Sequence, residues 1–160
     1  MDFTKLHIVF LAVFLFLTIK VQSADFYWIK GSGSWSDTTH WFSDSGGVPS
    51  IADNVHFDEA SFTDINQIVN IDVEAFANNF ICENILFNPT FEGHVDMHIH
   101  GLFALHDFMS FNYSGNIYFE SAEAGNTIFT AGKLINSNLY FDGEGSWLLS
   151  SQLNVGINSI

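Results

Sequence analysis

The chain of 160 residues contains no arginine, only four lysines, one cysteine and two prolines. Against the four lysines stand 18 acidic residues, so the formal net charge is −14. Nucleic acids and anionic membranes bind clustered Lys and Arg side chains, and this composition excludes both as partners. A single cysteine leaves no internal disulfide, so the stability of the fold must come from apolar burial.

Apolar residues make up 48% of the chain and include 18 phenylalanines, which excludes a disordered acidic tail. The one cysteine, Cys82, lies in the apolar segment 80–87. We expect it to be a small core residue. A reactive or intermolecular thiol is the alternative.

Residues 1–23 have the pattern of a secretory signal. Lys5 supplies the positive charge, residues 7–19 are almost wholly apolar, and residues 21–23 precede a cleavage point before Ala24. The apolar segment is short for a membrane span, so we expect no membrane insertion of the mature chain, with an uncleaved anchor as the alternative. The sequence therefore predicts a secreted or cell-surface protein.

The C-terminal part of the chain repeats itself. Residues 116–120 (NIYFE) correspond to residues 138–142 (NLYFD), and residues 135–137 (INS) to residues 157–159, each 22 positions later. The apolar segments are short, aromatic and β-branched, which is typical of strands. A fixed period of this length predicts a parallel β-helix with coils of about 22 residues over residues 67–160. An antiparallel sandwich or meander is the alternative.

Three tryptophans and several glycines dominate residues 24–66, the predicted N-terminal cap. Trp28, Trp35 and Trp41 are large enough to cover the open end of a first coil, which would otherwise expose apolar side chains and unpaired strand edges. The alternative function for these indole rings is glycan binding by stacking on sugars.

The order W-x₂-G-x-G-x-W-x₅-W over residues 28–41, followed by Val48-Pro49 and by D-N-V-x-F over residues 53–57, resembles the start of bacterial surface proteins with right-handed parallel β-helix passengers. These include adhesin-like secreted repeat proteins and autotransporter passengers. The resemblance implies the fold, a right-handed solenoid, and an extracellular location. It implies no catalytic residues.

A stripe of possible metal ligands lies at His94, Asp96, His98 and His100. Side chains alternate along a strand, so one extended strand would place all four on one face. Such a set could hold zinc, copper or nickel if a bend brought three of them together. The alternative is a solvated outer face over an apolar strand, and we expect no other cofactor.

Two spacings concern the extent of the repeat. Asn84 and Asn116 are 32 residues apart rather than 22, which predicts an enlarged coil between them. Ile160 stands where a third repeat would place its leading asparagine. We therefore expect a C-terminally truncated solenoid that continues into further coils.

These patterns favour an exported, non-enzymatic module, an adhesin or stalk that binds an extracellular surface or polysaccharide. The alternative is the N-terminal part of a pectate-lyase-like enzyme on the same scaffold. Such an enzyme needs a basic partner, and only Lys30 and Lys133 follow the signal segment. A small secreted metal-binding protein is a third hypothesis, based on the histidine stripe.

Overall fold

The computed structural model describes residues 23–156. Within them it has no α-helix, one short 3₁₀ turn at Thr38–His40 and 17 strands. The strands are β1 (Asp25–Trp28), β2 (Gly33–Ser34), β3 (Trp41–Phe42), β4 (Asn54–Phe57), β5 (Ile68–Ile71), β6 (Ala75–Ala77), β7 (Asn79–Cys82), β8 (Thr90–Gly93), β9 (Met97–Ile99), β10 (Phe103–Ala104), β11 (Ser110–Tyr113), β12 (Ile117–Glu120), β13 (Asn126–Phe129), β14 (Leu134–Ile135), β15 (Leu139–Asp142), β16 (Trp147–Leu149) and β17 (Asn154–Val155).

The strands form the faces of a parallel β-solenoid. Sheet A has the order β16-β13-β10-β7-β4-β1-β3, sheet B the order β11-β8-β5-β2, and sheet C the order β15-β12-β9-β6, while β14 and β17 pair separately. Every described pairing is parallel except that of β1 with β3. Six parallel strands in sheet A correspond to about five turns. The all-β solenoid prediction is confirmed, and the sandwich or meander alternative is wrong.

The 22-residue register of the repeat is also confirmed, because Ile117 pairs with Leu139 and Phe119 with Phe141. The prediction of an enlarged coil between Asn84 and Asn116 is wrong. Pairing of Ile117 with Met97, and of Met97 with Ala75, places the corner residue Asn116 beside Asp96 rather than Asn84. The coil from Asp96 to Asn116 is only 20 residues long, and it begins with Asp where the two later coils begin with Asn.

Two predicted features fall partly outside the described residues. The signal segment lies outside them apart from Ser23. The second copy of the INS triplet, residues 157–159, lies outside them completely, as does the end of the chain. The hand of the winding and the predicted continuation stay predictions. Within residues 23–156, no helix has the length and apolarity needed to cross a membrane.

Alternation along each strand fills the interior with aromatic rings. Phe57 is fully buried and lies 5.4 Å from the ring of Phe80 and 4.6 Å from that of Phe91. Cys82 is a free, buried residue of the same core, as predicted. Burial raises the pKa of the Cys82 thiol, which disfavours the reactive thiolate.

The last described coil is much less covered than the coils before it. Phe119 is 1% exposed, whereas its partner in the next coil, Phe141, is 55% exposed. The two rings are stacked with centroids 5.2 Å apart. Phe141 therefore covers Phe119 but has no equivalent cover of its own within the described residues.

This pair allows a matched test of coil stacking. We expect Phe119→Ala to lower the free energy of unfolding by about 3–5 kcal/mol, the usual cost of deleting a buried Phe ring. Phe141→Ala should cost about half of that or less, because its ring is already half in water. Urea unfolding followed by tryptophan fluorescence measures both values. Equal losses for the two variants would contradict the stacking order.

Candidate functional site

The three tryptophans lie in the core, not on the surface. Trp28, Trp35 and Trp41 are 0%, 1% and 7% exposed. Their rings pack on one another and on Phe57 and Phe80 of the following coils. The structure therefore offers none of these indole faces to a sugar.

Hydrogen bonds fix the indoles in place. Trp28 donates its Nε1–H to the carbonyl of Gly31 at 2.6 Å, and Trp41 donates to the carbonyl of Trp35 at 2.8 Å. Buried Trp side chains need such partners for their polar edge. The tryptophans thus close the first coil, with β3 as the outermost strand of sheet A.

The histidine stripe is not one strand. β8 ends at Gly93 and β9 covers only Met97–Ile99, so His94 and Asp96 lie at the corner between sheets B and C. The expected single face with all four side chains is wrong, because the chain bends there to start the next sheet. His98 lies in the middle of β9 and His100 directly follows it.

Parallel register aligns the outer side chains of sheet C in three columns. We call this surface the sheet C face. The corner column consists of Glu74, Asp96, Asn116 and Asn138. The aromatic column consists of Phe76, His98, Tyr118 and Tyr140. The acidic column consists of Asn78, His100, Glu120 and Asp142.

The aromatic column is a continuous stack. Ring centroids are 4.9 Å apart between Phe76 and His98, 4.8 Å between His98 and Tyr118, and 4.8 Å between Tyr118 and Tyr140. The inner rings therefore cover each other's faces and point their edges outward. Tyr140, the last ring, is 44% exposed.

The corner column is a chain of amide and carboxylate groups. Asn138 donates from Nδ2 to Asn116 Oδ1 at 3.1 Å, and Asn116 donates to Asp96 Oδ1 at 2.9 Å. Desolvation, with the negative charge of Asp96 adding to it, raises the pKa of Tyr118. The Tyr118 hydroxyl consequently stays protonated at neutral pH and can donate a hydrogen bond.

His98 connects three coils through its two ring nitrogens. Nδ1 lies 2.9 Å from Glu120 Oε2, and Nε2 lies 3.1 Å from Glu74 Oε1. Each ring nitrogen thus contacts one carboxylate, and the ring itself is stacked between Phe76 and Tyr118.

Glu120 joins the second histidine of the stripe to this network. His100 Nε2 is 3.4 Å from the same Glu120 oxygen, but without the geometry of a hydrogen bond, and this nitrogen is buried without a hydrogen-bond partner among the described residues. An open depression of about 430 Å³ lies here, lined by His100, Glu120 and Asp142, with Ile51 also at its wall.

The arrangement bears on the metal prediction without testing it. Within the described part of the chain, no three His, Cys, Asp or Glu side chains form a group that could hold a metal ion. Instead, the structure brings His98 and His100 to one carboxylate and pairs Asp96 with an amide. The metal site stays a prediction.

Sequence reasoning found parts of the sheet C face but not the columns that join them. Asn116, Tyr118 and Glu120 are visible as partners of Asn138, Tyr140 and Asp142, because all six fall in the repeat. Phe76 and Glu74 lie at the positions equivalent to Tyr118 and Asn116, but their residue types differ from those of the repeat. The available signal was spacing: Phe76, His98, Tyr118 and Tyr140 follow one another at intervals of 22, 20 and 22 residues.

Comparison of the chain with family models, curated proteins and solved structures found no match. The fold and the geometry of its surface are therefore the basis for a functional proposal.

The His98 network can be tested by a double-mutant cycle. His98→Phe keeps a ring in the stack but removes both ring nitrogens, and we expect it to lower the free energy of unfolding by about 1 kcal/mol, since these partly exposed contacts are screened. Glu120→Gln in the His98→Phe background should cost less than in the wild type. Strictly additive losses from urea unfolding would show that the pair is not coupled.

Proposed function

We propose that this chain is an exported, non-enzymatic β-solenoid module, adhesin-like or stalk-like, whose sheet C face binds an extracellular polysaccharide. The observation that supports this most directly is the alignment of aromatic, amide and carboxylate columns at the inter-coil spacing of about 4.8 Å. A polymer of repeated units can contact a surface of repeated columns at several points at once. Such multivalent contacts give useful binding even when each one is weak.

The chemistry of the sheet C face suits sugar hydroxyl groups. Carboxylates of Glu120 and Asp142 accept hydrogen bonds, the amide of Asn138 donates and accepts, and the Tyr118 hydroxyl donates. The partly exposed ring of Tyr140 adds an aromatic surface for the apolar side of a sugar. The open depression beside His100 gives the sheet C face a recess that can accept a substituent of the polysaccharide.

Charge narrows the class of polysaccharide. A net charge of −14 repels uronate and sulfate groups, so an uncharged polymer is the expected partner. The signal pattern of residues 1–23 and the resemblance to bacterial β-helix surface proteins support an extracellular location. Rigid stacking of the coils supports a display role, because the solenoid holds its outer columns in one fixed register.

The test compares two double variants that each remove one exposed ring and one charge. Tyr140→Ala/Asp142→Asn alters the sheet C face, whereas Phe129→Ala/Glu92→Gln alters the outer faces of sheets A and B. Binding to cellulose, chitin, a neutral glucan and polygalacturonate is measured by co-sedimentation and affinity electrophoresis. We expect the first variant to lose at least fivefold in affinity for a neutral polymer and the second to bind like wild type.

Three outcomes would contradict the proposal. Wild-type protein that binds none of the neutral polymers has no polysaccharide-binding face of this kind. Equal losses in both variants would show that the sheet C face is not the binding surface. Release of soluble or unsaturated oligosaccharides from any polymer would favour the lyase or hydrolase alternative.

A further inference from the structure

A second candidate surface lies at the edge of sheet A where β3 pairs with β1. Tyr27 and Phe42 are direct antiparallel partners there. Strand alternation turns their neighbours Trp28 and Trp41 into the core, so it turns these two rings outward. Tyr27 is 36% exposed and Phe42 is 61% exposed.

The two rings line a cavity of about 520 Å³, together with Asp25, Ser43, Asp44 and Ser45. This volume lies within the range of small-molecule sites and is large enough for one or two sugar rings. The lining thus combines two aromatic rings with carboxylate and hydroxyl groups.

Neighbouring side chains hold Tyr27 in a fixed orientation. His56, in β4 on the far side of β1 from β3, stacks on Tyr27 with ring centroids 4.7 Å apart and planes at 17°. One face of the tyrosine ring is therefore covered, and the other is turned toward β3 and Phe42. A ring that is already immobilised loses little conformational entropy when a ligand packs on it.

Asp25 is held in place in the same way. Its Oδ1 accepts hydrogen bonds from Asn54 Nδ2 at 2.9 Å and lies 3.3 Å from His56 Nε2. The hydrogen bond from Asn54 holds the pKa of Asp25 below its ordinary value, so the group is a carboxylate at neutral pH. Within residues 23–156 both contacts go to Oδ1, which leaves Oδ2 for a ligand.

We propose that this cavity is a binding subsite for a single uncharged sugar ring, packed against Tyr27 and Phe42 and hydrogen-bonded by Asp25 and Asp44. An aromatic face contacts the C–H groups of a sugar, and a carboxylate accepts from its hydroxyls. Two nearby carboxylates repel acidic sugars. This site is separate from the sheet C face and stands or falls independently of it.

The test uses the purified protein and methyl glycosides of glucose, galactose, mannose and N-acetylglucosamine, with methyl glucuronoside as the acidic counterpart. Binding is followed by shifts of aromatic ¹H–¹³C resonances and by saturation transfer. We expect at least one neutral glycoside to shift the Tyr27 and Phe42 resonances, and methyl glucuronoside to bind at least tenfold more weakly.

Matched variants locate the site. Phe42→Ala should weaken binding of that glycoside at least tenfold, and Phe42→Tyr should retain it. Phe108→Ala removes a ring of similar exposure, 62%, in the turn before β11 and should have no effect. The Tyr140→Ala/Asp142→Asn variant should also bind the glycoside normally, which separates this subsite from the proposed sheet C function.

The proposal is overturned if no neutral glycoside shifts these resonances, if Phe42→Ala and Phe108→Ala behave alike, or if methyl glucuronoside binds as tightly as its neutral relatives. Thermal unfolding of Phe42→Ala checks its fold. A variant that unfolds early is replaced by Asp44→Asn, which should weaken the same glycoside while leaving the aromatic wall intact.

Discussion

The structure depends on one constraint, which is that each coil must hydrogen-bond to the next in parallel register. Parallel pairing puts every side chain beside its equivalent in the neighbouring coils, at about 4.8 Å. Each position therefore becomes a column rather than an isolated site. Inside, this produces the stacked pair of Phe119 and Phe141. Outside, it produces the amide chain from Asp96 through Asn116 to Asn138.

Parallel register also places one imidazole between two carboxylates of the acidic surface. His98 contacts Glu74 of the preceding coil and Glu120 of the following coil. A histidine in such a column makes contacts with both neighbouring coils, which no lysine or arginine is present to make on the sheet C face. The scarcity of basic residues in the sequence thus gives this one imidazole a structural importance that its position in the stripe did not reveal.

The sequence was sufficient to predict the solenoid and the register of the last repeats, because identical residues recur there at a fixed spacing. It was also sufficient to predict the burial of Cys82, which lies in an apolar segment. It was not sufficient for the earlier coils. The offset between paired residues in sheet A varies between 29, for Asp25 and Asn54, and 21, for Asn126 and Trp147, since the turns differ in length. A change in turn length shifts the spacing between equivalent residues but does not alter the residue pattern of the strands, so the strand sequences do not reveal it.

The sequence did not show how the candidate surface residues come together, for a related reason. A row of histidines at alternate positions indicates one strand, but the chain turns between Gly93 and Met97, from sheet B to sheet C. The partners of His98 lie 22 and 24 residues away, so no local pattern shows them. The burial of the tryptophans agrees with their predicted packing at the first coil, and strand alternation then turns Tyr27 and Phe42 to the surface.

The unequal cover of the two ends has a consequence for where the solenoid opens locally. The densest aromatic packing, around Trp35, Trp41 and Phe57, belongs to the first coils, whereas Phe141 at the other end remains half in water. Nearest-neighbour contacts make the stability of each coil conditional on the one it is stacked on. Within the described residues, we therefore expect the last coil to open locally at a lower free-energy cost than the coils around Trp41 and Phe57.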